Sequence, residues 1–91
     1  MDDINAQALF ETLAVMGSAD EVRLILEDIC TPQEIHAVAQ RLAVAQLLSK
    51  NCVYAEITKR TGASTATISR VRRSIISSRG GYAKAGITLT Q

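Results

Sequence analysis

Apolar residues recur at spacings of three and four along almost the whole chain, and β-branched residues nowhere alternate with polar ones over a long run, so the sequence reads as all helical. The single proline, Pro32, does not interrupt this pattern, because it stands where a helix begins: Thr31 precedes it as cap and Glu34 completes a T-x-x-E box. With 91 residues, aromatics only at Phe10, Tyr54 and Tyr82, and no Trp, the expectation is one small domain with a core of Leu, Ile, Val and Ala. Such a core is marginal in a lone chain of this size, and the expected remedy is a homodimer.

The remaining punctuation divides the chain into helices. Asp3 is placed to cap a first helix that carries Ile4, Ala8, Leu9, Leu13 and Met16 and stops at Gly17. Ser18 and Glu21 form an S-x-x-E box, in which each side chain can bond the other residue's backbone amide, ahead of Val22, Ile25, Leu26 and Ile29. A third helix from Pro32 to about Ser49 is apolar around most of its circumference, which predicts the spine of the core, buried within one chain or shared between two. Lys50-Asn51-Cys52 is a polar link, and helices over Tyr54 to Thr61 and Ser64 to about Ser78 follow it. Gly80-Gly81 then breaks the chain, and Tyr82 to Gln91 could make one further turn or two of helix, but Gly86 and the Thr-rich end argue for fraying. Residues 1–91 thus form a single domain, with 1–49 as a helical core for dimerisation, 53–78 as a helix-turn-helix and 82–91 as a C-terminal tail.

Several function classes fall away. Cys30 and Cys52 with the lone His36 cannot assemble a four-ligand zinc site, so no metal is expected; the cysteines read as reduced thiols, with a disulfide as the alternative. No stretch is apolar for long enough to span a membrane, and the start, Met1-Asp2-Asp3, is acidic where a secretory signal would be basic, so a cytoplasmic protein with no membrane partner is expected. His36 has no acid or nucleophile at fixed spacing, and Gly80-Gly81 follows a basic helix rather than a strand, so neither catalysis nor a nucleotide cradle is indicated.

Charge is split along the chain. The formal net charge of +1 hides eight acids (Asp2, Asp3, Glu11, Asp20, Glu21, Glu27, Asp28, Glu34) against Arg23 alone up to residue 36. Beyond it, nine bases (Arg41, Lys50, Lys59, Arg60, Arg70, Arg72, Arg73, Arg79, Lys84) face Glu56 alone, which points that half toward an anionic partner.

A helix-turn-helix needs a residue able to turn left-handed after its first helix, and Gly62 follows Thr61. Counted from Tyr54, the inward positions are Ile57, Thr61, Ala63, Ile68 and Val71, all apolar except Thr61, while Thr58 stands where a small residue would let the helices approach more closely. Ser64 can cap the second helix. Its outward face at i, i+3, i+4, i+7 is Ala66, Ser69, Arg70 and Arg73, with Thr65 and Arg72 on the shoulders. Small groups near the helix start admit the backbone to a major groove, the methyls of Thr65 and Ala66 can meet thymine methyls, Ser69 can donate or accept, and the arginines serve phosphate or guanine. The candidate DNA-binding set is Lys59, Ser64, Thr65, Ala66, Thr67, Ser69, Arg70, Arg72 and Arg73. The bland alternative is an amphipathic helix with a solvated basic face.

At these residues the chain resembles the Trp repressor superfamily, and most closely its small Trp-repressor-related (TrpR-like) proteins of unassigned effector. The resemblance is carried by Asp28-Ile29-Cys30-Thr31-Pro32-Gln33-Glu34, by Ala39-Gln40-Arg41-Leu42-Ala43-Val44-Ala45, and by Thr61-Gly62-Ala63-Ser64-Thr65-Ala66-Thr67-Ile68-Ser69-Arg70-Val71, and it covers nearly the whole chain. It implies an all-helical, intertwined homodimer whose two helix-turn-helix heads face successive major grooves. It also implies a small-molecule corepressor between core and head, with Thr31, Arg41 and Arg70 at the matching positions. The family's tryptophan binders carry glycine directly after the second arginine, whereas this chain has Val71, a branched side chain that would clash with a flat ring, so a different small effector, or none, is expected. Arg41 could instead pair with Glu34 or Asp28, and Arg70 could bind phosphate alone.

The reading is a sequence-specific DNA-binding regulator, a repressor, acting on double-stranded DNA as a homodimer and not an enzyme. The alternative is a dimeric protein-protein interaction module that binds nucleic acid weakly and without sequence preference.

Overall fold

The computed structural model describes residues 3–90. Its helices are α1 (Ile4–Ala14), α2 (Ala19–Ile29), α3 (Pro32–Ser49), α4 (Tyr54–Thr61), α5 (Thr65–Ile76) and α6 (Gly81–Lys84), with no strand among the described residues. The fold is all-α, as the apolar spacing predicts. The acidic start at Met1 and Asp2, and Gln91 at the other end, lie outside the described residues. The chain divides into two compact units, Met1–Ile35 and His36–Gln91.

In the first unit the caps form where the sequence places them. The Asp3 carboxylate accepts from the Asn5 amide at 2.8 Å. Thr31 and Glu34 close their box in both directions, at 2.8 and 3.1 Å. The Ser18 box differs from expectation: Ser18 Oγ accepts from the Glu21 amide at 3.2 Å, but the Glu21 carboxylate reaches past Ser18 to the Gly17 amide at 2.8 Å. Glu21 thereby ties down the junction, and α1 stops at Ala14, short of Gly17, its last amides tightening into three-residue bonds from Val15 to Thr12 and from Met16 to Leu13. Neither α1 nor α2 buries a residue, and Ile4, Phe10, Val15, Leu24 and Ile29 are each more than half exposed.

The second unit holds the core. Val44, Ala45 and Leu48 of α3, Ile57 of α4, Ala63 of the turn, and Ile68, Val71 and Ile75 of α5 are buried together, flanked by Leu47, Cys52, Tyr54, Tyr82 and Leu89. Within one chain the third helix is buried over its C-terminal part, at Val44, Ala45 and Leu48, while Val38 and Leu42 are 62% and 44% exposed. Helix α5 ends at Ile76 with Ser77 as its cap, two residues before Ser78. Gly80-Gly81 opens the single turn of α6 instead of ending the ordered chain.

The described part of the tail, up to Thr90, folds back instead of fraying. Gly86, at φ +78°, turns the chain back, the Ile87 amide bonds the Tyr82 carbonyl at 2.8 Å, and the Ile87 side chain returns to the core at 4% exposure. An apolar side chain with a tertiary partner outweighs the local glycine and threonine signals here. Both cysteines are free thiols and half-buried, which suits the reduced reading.

Candidate nucleic-acid interface

The geometry of the helix-turn-helix starts at its turn. Gly62 caps α4 in the left-handed region at φ +75°, and its amide donates to the Thr58 carbonyl at 2.8 Å. A Cβ there would meet only Gln40 Nε2, at 3.8 Å, so glycine is required by conformation and not by space. Thr61, the polar member of the inward set, is half-buried and satisfied: its hydroxyl donates to the Ile57 carbonyl at 2.8 Å and accepts from the Ala63 amide at 3.1 Å. Thr58 is exposed, so it does not wedge the helices apart, and α4 and α5 pack against each other.

Ser64 caps α5 as expected. Its Oγ accepts from the Thr67 amide at 3.2 Å, and its hydroxyl donates to Thr67 Oγ1 at 3.2 Å, which leaves Thr67 half-buried beside the cap. On the opposite face from Ile68, Val71 and Ile75, the side chains of Thr65, Ala66, Arg70, Arg72 and Arg73 are exposed, and Ser69 is half-buried. Ala66, Thr67, Arg70 and Arg73 line a shallow depression of about 320 Å³. One turn of small side chains therefore leads into two guanidinium groups.

The charge on this face is uncompensated. Among the described residues the ion pairs are Arg23 with Glu27 at 3.0 Å and Arg60 with Glu56 at 2.7 Å. Lys59, Arg70, Arg72 and Arg73 have no carboxylate at ion-pair distance, whereas Arg60 is held by Glu56, whose hydrogen bond and charge push the guanidinium further toward its protonated form.

The three effector positions take different roles. Thr31 lies in the first unit, where its hydroxyl and amide are both used in the Glu34 box. Arg41 donates from Nε to the Ala37 carbonyl of its own helix at 3.3 Å. Arg70 lies on the exposed face, while Val71 beside it points inward at 2% exposure and fills the core side of α5.

Local patterns missed three side chains that make long-range hydrogen bonds in the second unit. Gln40 of α3 donates from Nε2 to the Thr61 carbonyl at 3.0 Å, across 21 residues of sequence. Asn51, in the left-handed region at φ +63°, exchanges two hydrogen bonds with Thr90, at 2.9 and 3.1 Å. The only sequence signal for either tie is an asparagine in a short link, a residue that tolerates positive φ.

Among the described residues no helix is long and apolar enough to cross a membrane. Comparison with known proteins gives consistent results. The protein YerC of Bacillus subtilis (strain 168) is 45% identical over 65 residues, 71% of this chain and 62% of that protein, so the match spans less than two thirds of that relative. The crystal structure of a TrpR-like protein from Eubacterium eligens ATCC 27750 superposes with a TM-score of 0.86 at 34% identity, covering 98% of this chain and 96% of the other. A second solved structure, from Staphylococcus aureus, gives 0.84 at 33% identity over 97% and 92% of the two chains. The sequence model of the Trp repressor protein matches residues 5–86, a span that includes most of each unit and the whole helix-turn-helix. On that coverage the chain belongs to the Trp repressor family.

Proposed function

We propose that the chain is a sequence-specific DNA-binding transcriptional repressor that acts as a homodimer, with α5 entering the major groove. The observation that carries this reading is the two-sided character of α5: an inner face closed by Ile68, Val71 and Ile75, and an outer face of small side chains and arginines without carboxylate partners. Thr65, Ala66 and Ser69 read base edges, Ser64 and Thr67 set the start of the helix against the backbone, and Lys59, Arg70, Arg72 and Arg73 hold phosphates. Membership of a family of DNA-binding regulators supports the same reading. The second chain comes from the exposed apolar faces of α1 and α2, since isolated helices shorter than ~12–15 residues are marginal in water and each of these has 11.

The test is selection of duplexes from a random pool by the purified protein, followed by titration of the winner and a shuffled duplex at two salt concentrations, beside Arg70→Ala. A palindromic winner with half-sites about one helical turn apart supports a symmetric reader. Binding that is equal for all sequences and vanishes equally with salt supports the interaction module instead.

A further inference from the structure

Apolar packing between α4, α5 and the end of α3 holds the head closed, but the hydrophobic effect is itself non-directional. Two polar ties add directional contacts to that packing. The first is Gln40 to the Thr61 carbonyl, at the turn. That carbonyl belongs to the last turn of α4, where no amide of the helix itself remains to serve it, so a half-buried glutamine from α3 supplies the donor. The second is Asn51 with Thr90. Asn51 belongs to the link between α3 and α4, and Thr90 belongs to the tail that leaves α5, follows α6 and sends Ile87 into the core. The tail is also close to α5 itself, with Tyr82 Oη 3.5 Å from Ser74 Oγ.

We propose that Gln40 and the Asn51–Thr90 pair are positioning residues that fasten the head to α3 and its link at two places, and so set the direction in which α5 presents Thr65, Ala66, Ser69 and Arg70. The inference rests on the DNA-reading function for its consequence, but the fastening can be measured without DNA. A directional bond at each place adds an orientational restraint to the packing of the buried side chains. The long-range charge of the arginines does not depend on that orientation, whereas a bond to a base edge does.

The experiment compares the parent with Gln40→Leu, Thr90→Val and Thr90→Ser. Amide hydrogen exchange is followed on the free protein. Affinity for the selected duplex and for its shuffled counterpart is measured at one salt concentration. Loss of either tie is expected to raise exchange at the amides of α5 by about fivefold, the equivalent of one ordinary hydrogen bond, with the amides of α2 unchanged. The preference for the selected duplex should fall while affinity for the shuffled one stays level, and Thr90→Ser, which keeps the hydroxyl, should behave as the parent. Exchange and preference both at parent values would overturn the proposal, as would exchange rising equally in every helix, which marks a loss of general stability. If the parent shows no sequence preference, the DNA-reading function has failed, and the exchange arm alone decides whether the ties hold α5.

Discussion

The Thr61 hydroxyl donates to the Ile57 carbonyl one turn back in α4, 2.8 Å away, so the one polar inward position of the helix-turn-helix does not bury an unsatisfied group. The same oxygen accepts from the Ala63 amide. Thr61→Val keeps the shape and removes both bonds, and the orphaned amide should cost about 1–3 kcal/mol in urea unfolding. Thr61→Ser should stay close to the parent.

Gly62 separates conformation from space. Because a Cβ would meet only the end of Gln40, at 3.8 Å, Gly62→Ala should be destabilising by about 1–2 kcal/mol through its positive φ alone. Gly62→Asn should cost less, since asparagine visits that region more readily. Thermal unfolding of the two variants side by side checks the order.

On the outer face, Arg72 and Arg73 are expected to act on phosphate. Substituting either by Gln should weaken binding to every duplex alike and flatten the log-log salt dependence by about 0.9 for each phosphate no longer neutralised, twice that in a symmetric dimer. Ser69→Ala should do the reverse, lowering the affinity for the selected sequence while leaving the salt slope alone. Titration across a salt series distinguishes the two.

Arg60 is the basic residue of the head whose charge is already matched. Glu56→Gln removes that match, so non-specific DNA affinity should rise at low salt and the gain should vanish at high salt. Stability should hardly change, because both partners are exposed and such helical pairs contribute little. Paired measurements of binding and unfolding on the one variant check both statements.

How much of this the sequence made legible depended on range. The Asp3, Ser18, Thr31 and Ser64 caps, the Gly62 turn and the buried set of Ile57, Ala63, Ile68 and Val71 are all decided within a few residues, and each is where the sequence places it. The candidate face of α5 follows from that buried set by helical spacing alone. What escaped spans distance. Gln40 and Thr61 are 21 residues apart, Asn51 and Thr90 are 39 apart, and Ile87 is buried by helices that end well before it. Glu21 shows the same limit on a small scale, since the box spacing names the right side chain but its reach to Gly17 depends on how the chain enters the helix.

The first unit supplies the remaining prediction. Phe10→Asp and Leu24→Asp place charge on exposed apolar side chains, and sedimentation should shift from twice the chain mass in the parent to the chain mass in the variants, with helicity falling alongside. For the parent, the melting temperature should rise with protein concentration.

Neither α1 nor α2 buries a residue within its own chain, and that has a kinetic consequence. In a dimer closed over those helices, two chains cannot trade partners by brief dissociation, because parting exposes the very surface that keeps the helices formed. Mixing two differently labelled populations would then proceed at the pace of unfolding and not of diffusion. The proposed dimer would then keep the partner it folded with, and newly made chains would pair chiefly with one another.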